Sequence, residues 1–128
     1  MCVGTISELR ALEIDNVPEV CGKKIVTLLC YNVAGDKEPV HYVWNPELTD
    51  NDDNGAVIQG PNLTGRWVMV KPTEHCDSRH YGICPQNTTN FTGNTQRMEQ
   101  WIAYCNASNL RPYFSANGDY KFYKYNRS

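Results

Sequence analysis

Val40-His41-Tyr42-Val43-Trp44 is the run on which the reading of this chain turns. Val40, Tyr42 and Trp44 point one way and His41 and Val43 the other, the two-residue period of a half-buried strand. Before it, an apolar run from Ile25 to Val33 breaks at Ala34-Gly35-Asp36-Lys37-Glu38-Pro39. After it comes the acid- and amide-rich turn Thr49-Asp50-Asn51-Asp52-Asp53-Asn54-Gly55. The chain re-enters sheet at Ala56-Val57-Ile58-Gln59, turns at Gly60-Pro61-Asn62 and climbs again from Gly65 to Val70. Short β-rich runs between Asn, Asp, Gly and Pro turns describe an antiparallel meander. Tyr42, Trp44 and Trp67 organise its core, the two indoles packing together as the largest apolar groups of the stretch. In the run from Ile25 to Val33 both alternate sets are largely apolar, which predicts a central strand.

Upstream, Thr5-Ile6-Ser7-Glu8 has the form of a capping box, with Thr5 as the cap and Glu8 reaching back to its amide. Ile6, Leu9 and Leu12 then share one face of a helix of about two turns, which is stable only when docked on the sheet. Downstream, Lys71-Pro72-Thr73-Glu74 reads as a linker. Asn87 to Asn94 is a polar loop. Met98, Trp101, Ile102 and Cys105 recur at the spacing of an amphipathic helix over Gln96 to Cys105, with Trp101 as its core organiser. The division is 1–70 for a small β-rich domain, 71–94 for a linking segment, and 95–128 for a helix and further strands.

With 128 residues the chain is one domain, or one domain and the start of another. A formal charge of −2 and the lack of a basic run argue against a nucleic-acid partner. No apolar stretch reaches the length of a membrane span, and the first residues lack the pattern of a signal peptide. Six cysteines (Cys2, Cys21, Cys30, Cys76, Cys84 and Cys105) and sequons beginning at Asn62, Asn87, Asn90, Asn106 and Asn126 open another reading. It is that of a secreted, disulfide-linked glycoprotein. Against it stands the plainer reading of cysteine as a small buried hydrophobe and of sequons as a product of Asn- and Thr-rich turns.

Gly35-Asp36, Tyr42-x-Trp44, Thr49-Asp50 to Asn54-Gly55-x-Val57-Ile58 and Gly65-Arg66-Trp67, in that order, carry a family likeness. The stretch from Val3 to Leu12 extends it. The pattern resembles the small N-terminal domain that precedes the right-handed parallel β-helix of phage tailspikes and pectate-lyase-like proteins. It departs at Lys37-Glu38-Pro39, where that family has a glycine run. The resemblance implies a mainly β fold: a small antiparallel β domain with a short N-terminal helix, then an amphipathic capping helix and the first β-helix strands. The crossing segment would be Asp77 to Ile83, and the strands would fall at Arg111 to Phe114 and Tyr120 to Tyr123, about a turn at Asn117-Gly118.

By the same resemblance the chain is a virion structural protein, the anchoring domain of a tailspike or tail fibre. It would be assembled in the bacterial cytoplasm as a homotrimer, would have other virion proteins (capsid, portal or tail) as partners, and would keep its cysteines reduced. Two alternatives stand beside it: the front end of a pectate-lyase-like polysaccharide-degrading enzyme, and the secreted glycoprotein.

The chemistry-bearing residues form no complete set. Asp50, Asp52, Asn54 and Gly55 match the first half of an EF-hand loop, but its last ligand position is Pro61 and no helices flank it. Cys76, His80 and Cys84, with His75, Asp77 or Cys105 beside them, stand near zinc spacing, yet only three are well placed for a four-ligand site. A cysteine with His80 supplies a nucleophile and base without a surrounding signature. The expectation is therefore no catalytic, metal or cofactor site, and no enzyme in this chain. Tyr113, Phe114, Tyr120, Phe122, Tyr123 and Tyr125 fit a half-buried strand or an interface edge better than a stacking platform. Loops on a rigid sheet are the usual binding elements, so the candidate protein interface is Asp36, Lys37, Glu38, Asp50, Asp52 and Asp53.

Overall fold

The structure, a computed structural model, describes residues 1–83 and 91–114, with side chains from residue 95 onward in the second span. Cys84, the sequons at Asn87, Asn90 and Asn126, the turn at Asn117 and the strand expected at Tyr120 to Tyr123 lie outside the described residues.

Helix α1 spans Ile6–Ala11 and is capped by Thr5, whose hydroxyl oxygen accepts from the Glu8 amide at 3.2 Å. The Glu8 carboxylate takes the Gly4 amide at 3.0 Å, one residue before the amide that a capping box would use. Ile6 and Leu9 are buried, so this short helix is held by packing.

Five strands make the main sheet: β1 (Cys2–Val3), β2 (Ile25–Leu28), β3 (Val40–Asn45), β4 (Val57–Ile58) and β5 (Arg66–Met69). Their order is β1-β2-β3-β5-β4. The expected antiparallel meander is corrected twice. The sheet is mixed, because β1 runs parallel to β2 and only the other pairs are antiparallel. A parallel neighbour needs a crossover, and the chain between Val3 and Ile25 supplies one through α1. In addition, β5 lies between β3 and β4. That order sets Trp44 opposite Trp67 and Tyr42 opposite Met69, pairing the bulkiest side chains of two long strands. A sequential order would have set them against β4, which is two residues long.

The core face carries Val26, Leu28, Tyr42, Ile58, Trp67 and Met69. Trp67 is fully enclosed, and the partly buried Trp44 packs on it with ring centroids 5.2 Å apart. Gly65 makes this stacking possible. Its φ of +97° suits glycine, and a Cβ there would sit 2.2 Å from the Trp44 ring. Strand β2 is internal, but Ile25 on its other face and Leu29 just beyond its end are exposed.

A second, two-stranded sheet pairs β6 (His75–Asp77) in parallel with β7 (Arg111–Tyr113). Between them lie a 3₁₀ turn, Ser78–Tyr81, and helix α2, Phe91–Ser108. The segment expected to link, 71–94, thus supplies a strand and the buried residues Cys76, Ser78, Tyr81 and Ile83. Trp101 on α2 is buried, and its indole N–H donates to the Cys76 carbonyl at 3.0 Å. A single buried cluster joins Ile6, Leu9, Tyr42, Trp67, Trp101 and Cys105, running across the boundary expected near residue 70.

Candidate functional site

Three tyrosines on separate parts of the chain point their hydroxyls toward the acid-rich loop between β3 and β4. Buried tyrosines need a partner for the phenol O–H. Tyr31 donates to the Asn54 carbonyl at 2.6 Å, Tyr42 to the Gly55 carbonyl, and Tyr81 to the Asp53 carboxylate at 2.9 Å. Asp53 also accepts from the amides of Gly55 at 3.0 Å and Val57 at 2.8 Å. Gly55 is seated under the Tyr81 ring, where an added Cβ would lie 2.5 Å from ring atoms.

Asp52 is equally committed. Arg10 of α1 holds it with two hydrogen bonds, Nε to Oδ2 at 3.1 Å and Nη2 to Oδ1 at 2.9 Å. The amides of Asn54 and Gln59 donate to the same carboxylate, each at 2.9 Å. Asn54 then ties two helices together, accepting from Arg10 at 2.8 Å and donating to Gln100 of α2 at 2.6 Å. The half-calcium pattern of Asp50, Asp52, Asn54 and Gly55 is therefore filled from within. The oxygens of Asp52 and Asn54 face an arginine and amides. Asp50 contributes only its backbone carbonyl, which accepts from Arg66 Nε at 2.7 Å.

Arg66 itself is a buried cation without a carboxylate partner among the described residues. Its guanidinium donates to the carbonyls of Thr49, Asp50, Leu63 and Gly65. Those four oxygens belong to two loops that no strand ladder satisfies, and a planar five-donor group suits such a cluster.

The loop before β3 is also turned inward. Asp36 is 3% exposed and accepts from the amides of Tyr31 at 2.6 Å, Asn32 at 2.7 Å and Val33 at 3.0 Å. Lys37 is 4% exposed and donates to the Glu38 carbonyl at 2.9 Å. Of the six residues expected at an interface, Asp36 and Lys37 are thus buried, while Asp52 and Asp53 are half-buried and internally bonded. Glu38 and Asp50 alone stand exposed. This placement has a simple cause: this loop chemistry answers buried backbone amides and phenols, which composition cannot distinguish from a solvated turn.

Burial pushes the Tyr31 hydroxyl up to about 12 and raises Tyr42 well above its ordinary value. Tyr81 is raised by burial and then by the Asp53 charge. All three stay protonated at neutral pH, so they serve the loop as donors and supply no base. The thiols of Cys76 and Cys105 adjoin each other in the core, and burial raises both. His80 is lowered to about 4 by burial and by the Lys37 charge. No hydrogen bond joins His80 to either thiol among the described residues. His75 stacks on Tyr113, its ring centroid 4.7 Å away, on the exposed side of β6. Among the described residues no three His, Cys, Asp or Glu side chains gather as metal ligands, and no helix is long and apolar enough to cross a membrane. Cys2, Cys21, Cys30, Cys76 and Cys105 are free.

Lys37 offers a test of this interior. Burial lowers its pKa to about 8 from 10.5, with Asp36 opposing that shift. A lysine amine whose folded pKa is lowered destabilises the fold while charged, and that penalty disappears as pH rises from about 8 to 10.5. Lys37→Met is expected to stabilise the protein by about 1–3 kcal/mol at pH 7. Its advantage over the parent should shrink through that pH window in denaturant titrations. An equal or less stable variant at pH 7 would mean that the ammonium reaches water.

Arg10, Tyr31, Tyr81 and Gln100 escaped the sequence reading. The one available signal was the presence of phenols within apolar runs, each needing an acceptor that only the Asp- and Asn-rich loop could offer.

No family model matches the sequence, and no curated protein does. Solved structures do match. A tailspike of Acinetobacter baumannii bacteriophage Fri1, a capsular polysaccharide depolymerase, shares 22% identity at a TM-score of 0.52 over 65% of this chain. The enzymatically active domain of bacteriophage CBA120 tailspike protein 2 shares 17% at 0.55 over 78%. Pantoea stewartii WceF, a glycan biofilm modifying enzyme with a tailspike-like parallel β-helix fold, shares 14% at 0.57 over 84%. The likeness spans 14%, 13% and 14% of those chains, so this chain corresponds to about one seventh of each. What it holds in common with the phage tailspikes and tailspike-like β-helix proteins is its fold.

Proposed function

We propose that this chain is a virion structural protein, the anchoring part of a tailspike or tail fibre that fixes a host-recognising appendage to the particle. The observation that carries the reading is the structural likeness, which two phage tailspikes share over most of the described chain. The parallel pair β6–β7 supports it, since a parallel ladder, open-edged among the described residues, is a start on which further coils can stack. In this reading the chain's own work is binding. Its partners are other virion proteins, in the capsid, portal or tail. It is assembled as a homotrimer in the bacterial cytoplasm, with thiols reduced and with neither nucleic acid nor membrane as a partner.

Immunogold labelling of purified particles with antibody against the 128-residue chain tests the placement. Gold on the tail or its vertex is expected, and unlabelled particles would overturn the reading. A second reading, the front end of a polysaccharide-degrading enzyme outside a virion, is favoured by the WceF likeness. It predicts no gold on particles and depolymerisation of a host glycan by the complete protein.

A further inference from the structure

Two thiols of the core take no part in bracing the acid-rich loop. Cys76 stands on β6 and Cys105 on α2, both 0% exposed. Their neighbours bring them together. The Trp101 indole donates to the carbonyl of Cys76 itself at 3.0 Å, and Cys105 follows Trp101 by one helical turn on the same face. Just beyond, the Leu110 amide closes the helix on the Cys105 carbonyl at 2.8 Å. The Arg111 amide then reaches the Glu74 carbonyl at 3.0 Å, where the β6–β7 ladder begins. The two thiols are thus held in register from both sides, and they share a hydrogen bond. The other described cysteines are placed differently. The Cys30 thiol donates to the Gly4 carbonyl at 2.9 Å, and Cys2 and Cys21 are exposed.

We propose that Cys76 and Cys105 form a latent disulfide, closed by a small peroxide once the chain leaves a reducing compartment, which staples α2 to β6. The Cys105 sulfur, as thiolate, attacks one oxygen of hydrogen peroxide. An S–O bond forms, the O–O bond breaks, and the leaving hydroxide takes up the proton that the thiol gave and departs as water. The sulfur of Cys76 then displaces the remaining oxygen as a second water, and the S–S bond forms. Two thiols lose two electrons and two protons, and the peroxide that takes them up becomes two waters. Cys105 is the attacking sulfur, because Cys76 donates to it and so favours its thiolate. Enclosure nonetheless keeps both thiols protonated, and the thiolate is the reactive form, so closure is slow while α2 stays docked. The same enclosure keeps out bulky disulfide oxidants and leaves the small peroxide as the reagent. The closed bond rings a loop of about thirty residues, long enough to constrain the unfolded chain. What it holds in place is α2, whose Trp101 completes the core and whose Gln100 completes the acid-rich loop. This inference goes beyond the proposed function and takes from it only the order of events, reduced thiols first and an oxidising medium later.

The test uses the 128-residue chain, reduced, desalted and treated with hydrogen peroxide in native buffer. Non-reducing peptide maps should give one linkage, Cys76 to Cys105, with the loss of two hydrogens. The same treatment in guanidinium should scramble the pairings, because docking of α2 no longer selects them. The oxidised chain should unfold at a guanidinium midpoint higher than the reduced chain by roughly 0.5–1 M. Hydrogen exchange of the α2 amides should slow by about tenfold, and dithiothreitol should reverse both effects. Cys105→Ala should lose the linkage and the midpoint shift. A Cys2→Ser, Cys21→Ser, Cys84→Ser chain keeps the pair and should form the same linkage, so the result does not depend on whether Cys105→Ala folds. Sulfinic acid at Cys76 or Cys105 without a linkage would overturn the inference, since the sulfurs would then be unable to reach each other. Native linkages through Cys30 or Cys84, thiols untouched by excess peroxide, or an unshifted midpoint after oxidation would overturn it as well. Any of these failures with gold still on the tails would leave the virion reading intact.

Discussion

Trp67→Ala is expected to destabilise the protein by about 3–5 kcal/mol, the range for deleting a fully enclosed large aromatic. Trp67 is 0% exposed, lies opposite Trp44 across the β3–β5 ladder and packs against its ring. Its removal would leave a cavity between the sheet and the rest of the core. Collapse is hindered, because Gly65 and the braced loop before it fix the position of Trp44. Guanidinium unfolding would read the effect as a lower midpoint at unchanged slope. A loss below about 1 kcal/mol would contradict the enclosure of the ring.

Asp52→Ala should cost about 2–4 kcal/mol, by a different route. The carboxylate receives two bonds from Arg10 and one each from the amides of Asn54 and Gln59. Removing it leaves two part-buried amides and a guanidinium short of partners, and unsatisfied donors are the expensive outcome. Arg10 and Asp52 retain 35% and 20% side-chain exposure, so water softens the loss of the ion pair itself. Asp52→Asn keeps the shape and one acceptor oxygen and is expected to cost about half as much. A double-mutant cycle with Arg10→Met would separate the ion pair from the amide contacts. Equal losses for Asp52→Ala and Asp52→Asn would point to charge alone and contradict the geometry.

The alternation at Val40 to Trp44 was legible because a strand between core and solvent writes its two faces into neighbouring residues. Thr5 and Glu8 were legible for a similar reason, since capping is settled within four positions. Strand order was not. The insertion of β5 between β3 and β4 depends on which ladder buries more bulk, and that comparison spans residues far apart in sequence. The polar loops misled for a related reason. Asp36, Lys37, Asp52 and Asp53 look like solvated charge until the amides and phenols that face them are placed, and Tyr31, Tyr81 and Gln100 lie 21 to 48 positions from Asp52 in sequence. Local pattern carries the elements, whereas the cross-chain bonds that close the loop leave only the weak trace of phenols in apolar runs.

The distribution of partners around Asp52, Asp53 and Asn54 also sets a timetable. Arg10 precedes the loop by about forty residues, while Tyr81 and Gln100 follow it by 28 and 46. Contacts of such separation are slow to form, because the intervening chain must be closed before any bond rewards it. During synthesis the sheet strands leave the ribosome before α2 exists, with Trp101 and Gln100 still missing from the cluster that they complete. The nascent first 70 residues therefore have no finished core and hold bare indole until roughly thirty more have been added. In that interval the chain is most open to aggregation and most dependent on chaperones. Slowing translation upstream of α2 should lower the soluble yield more than slowing it beyond β7.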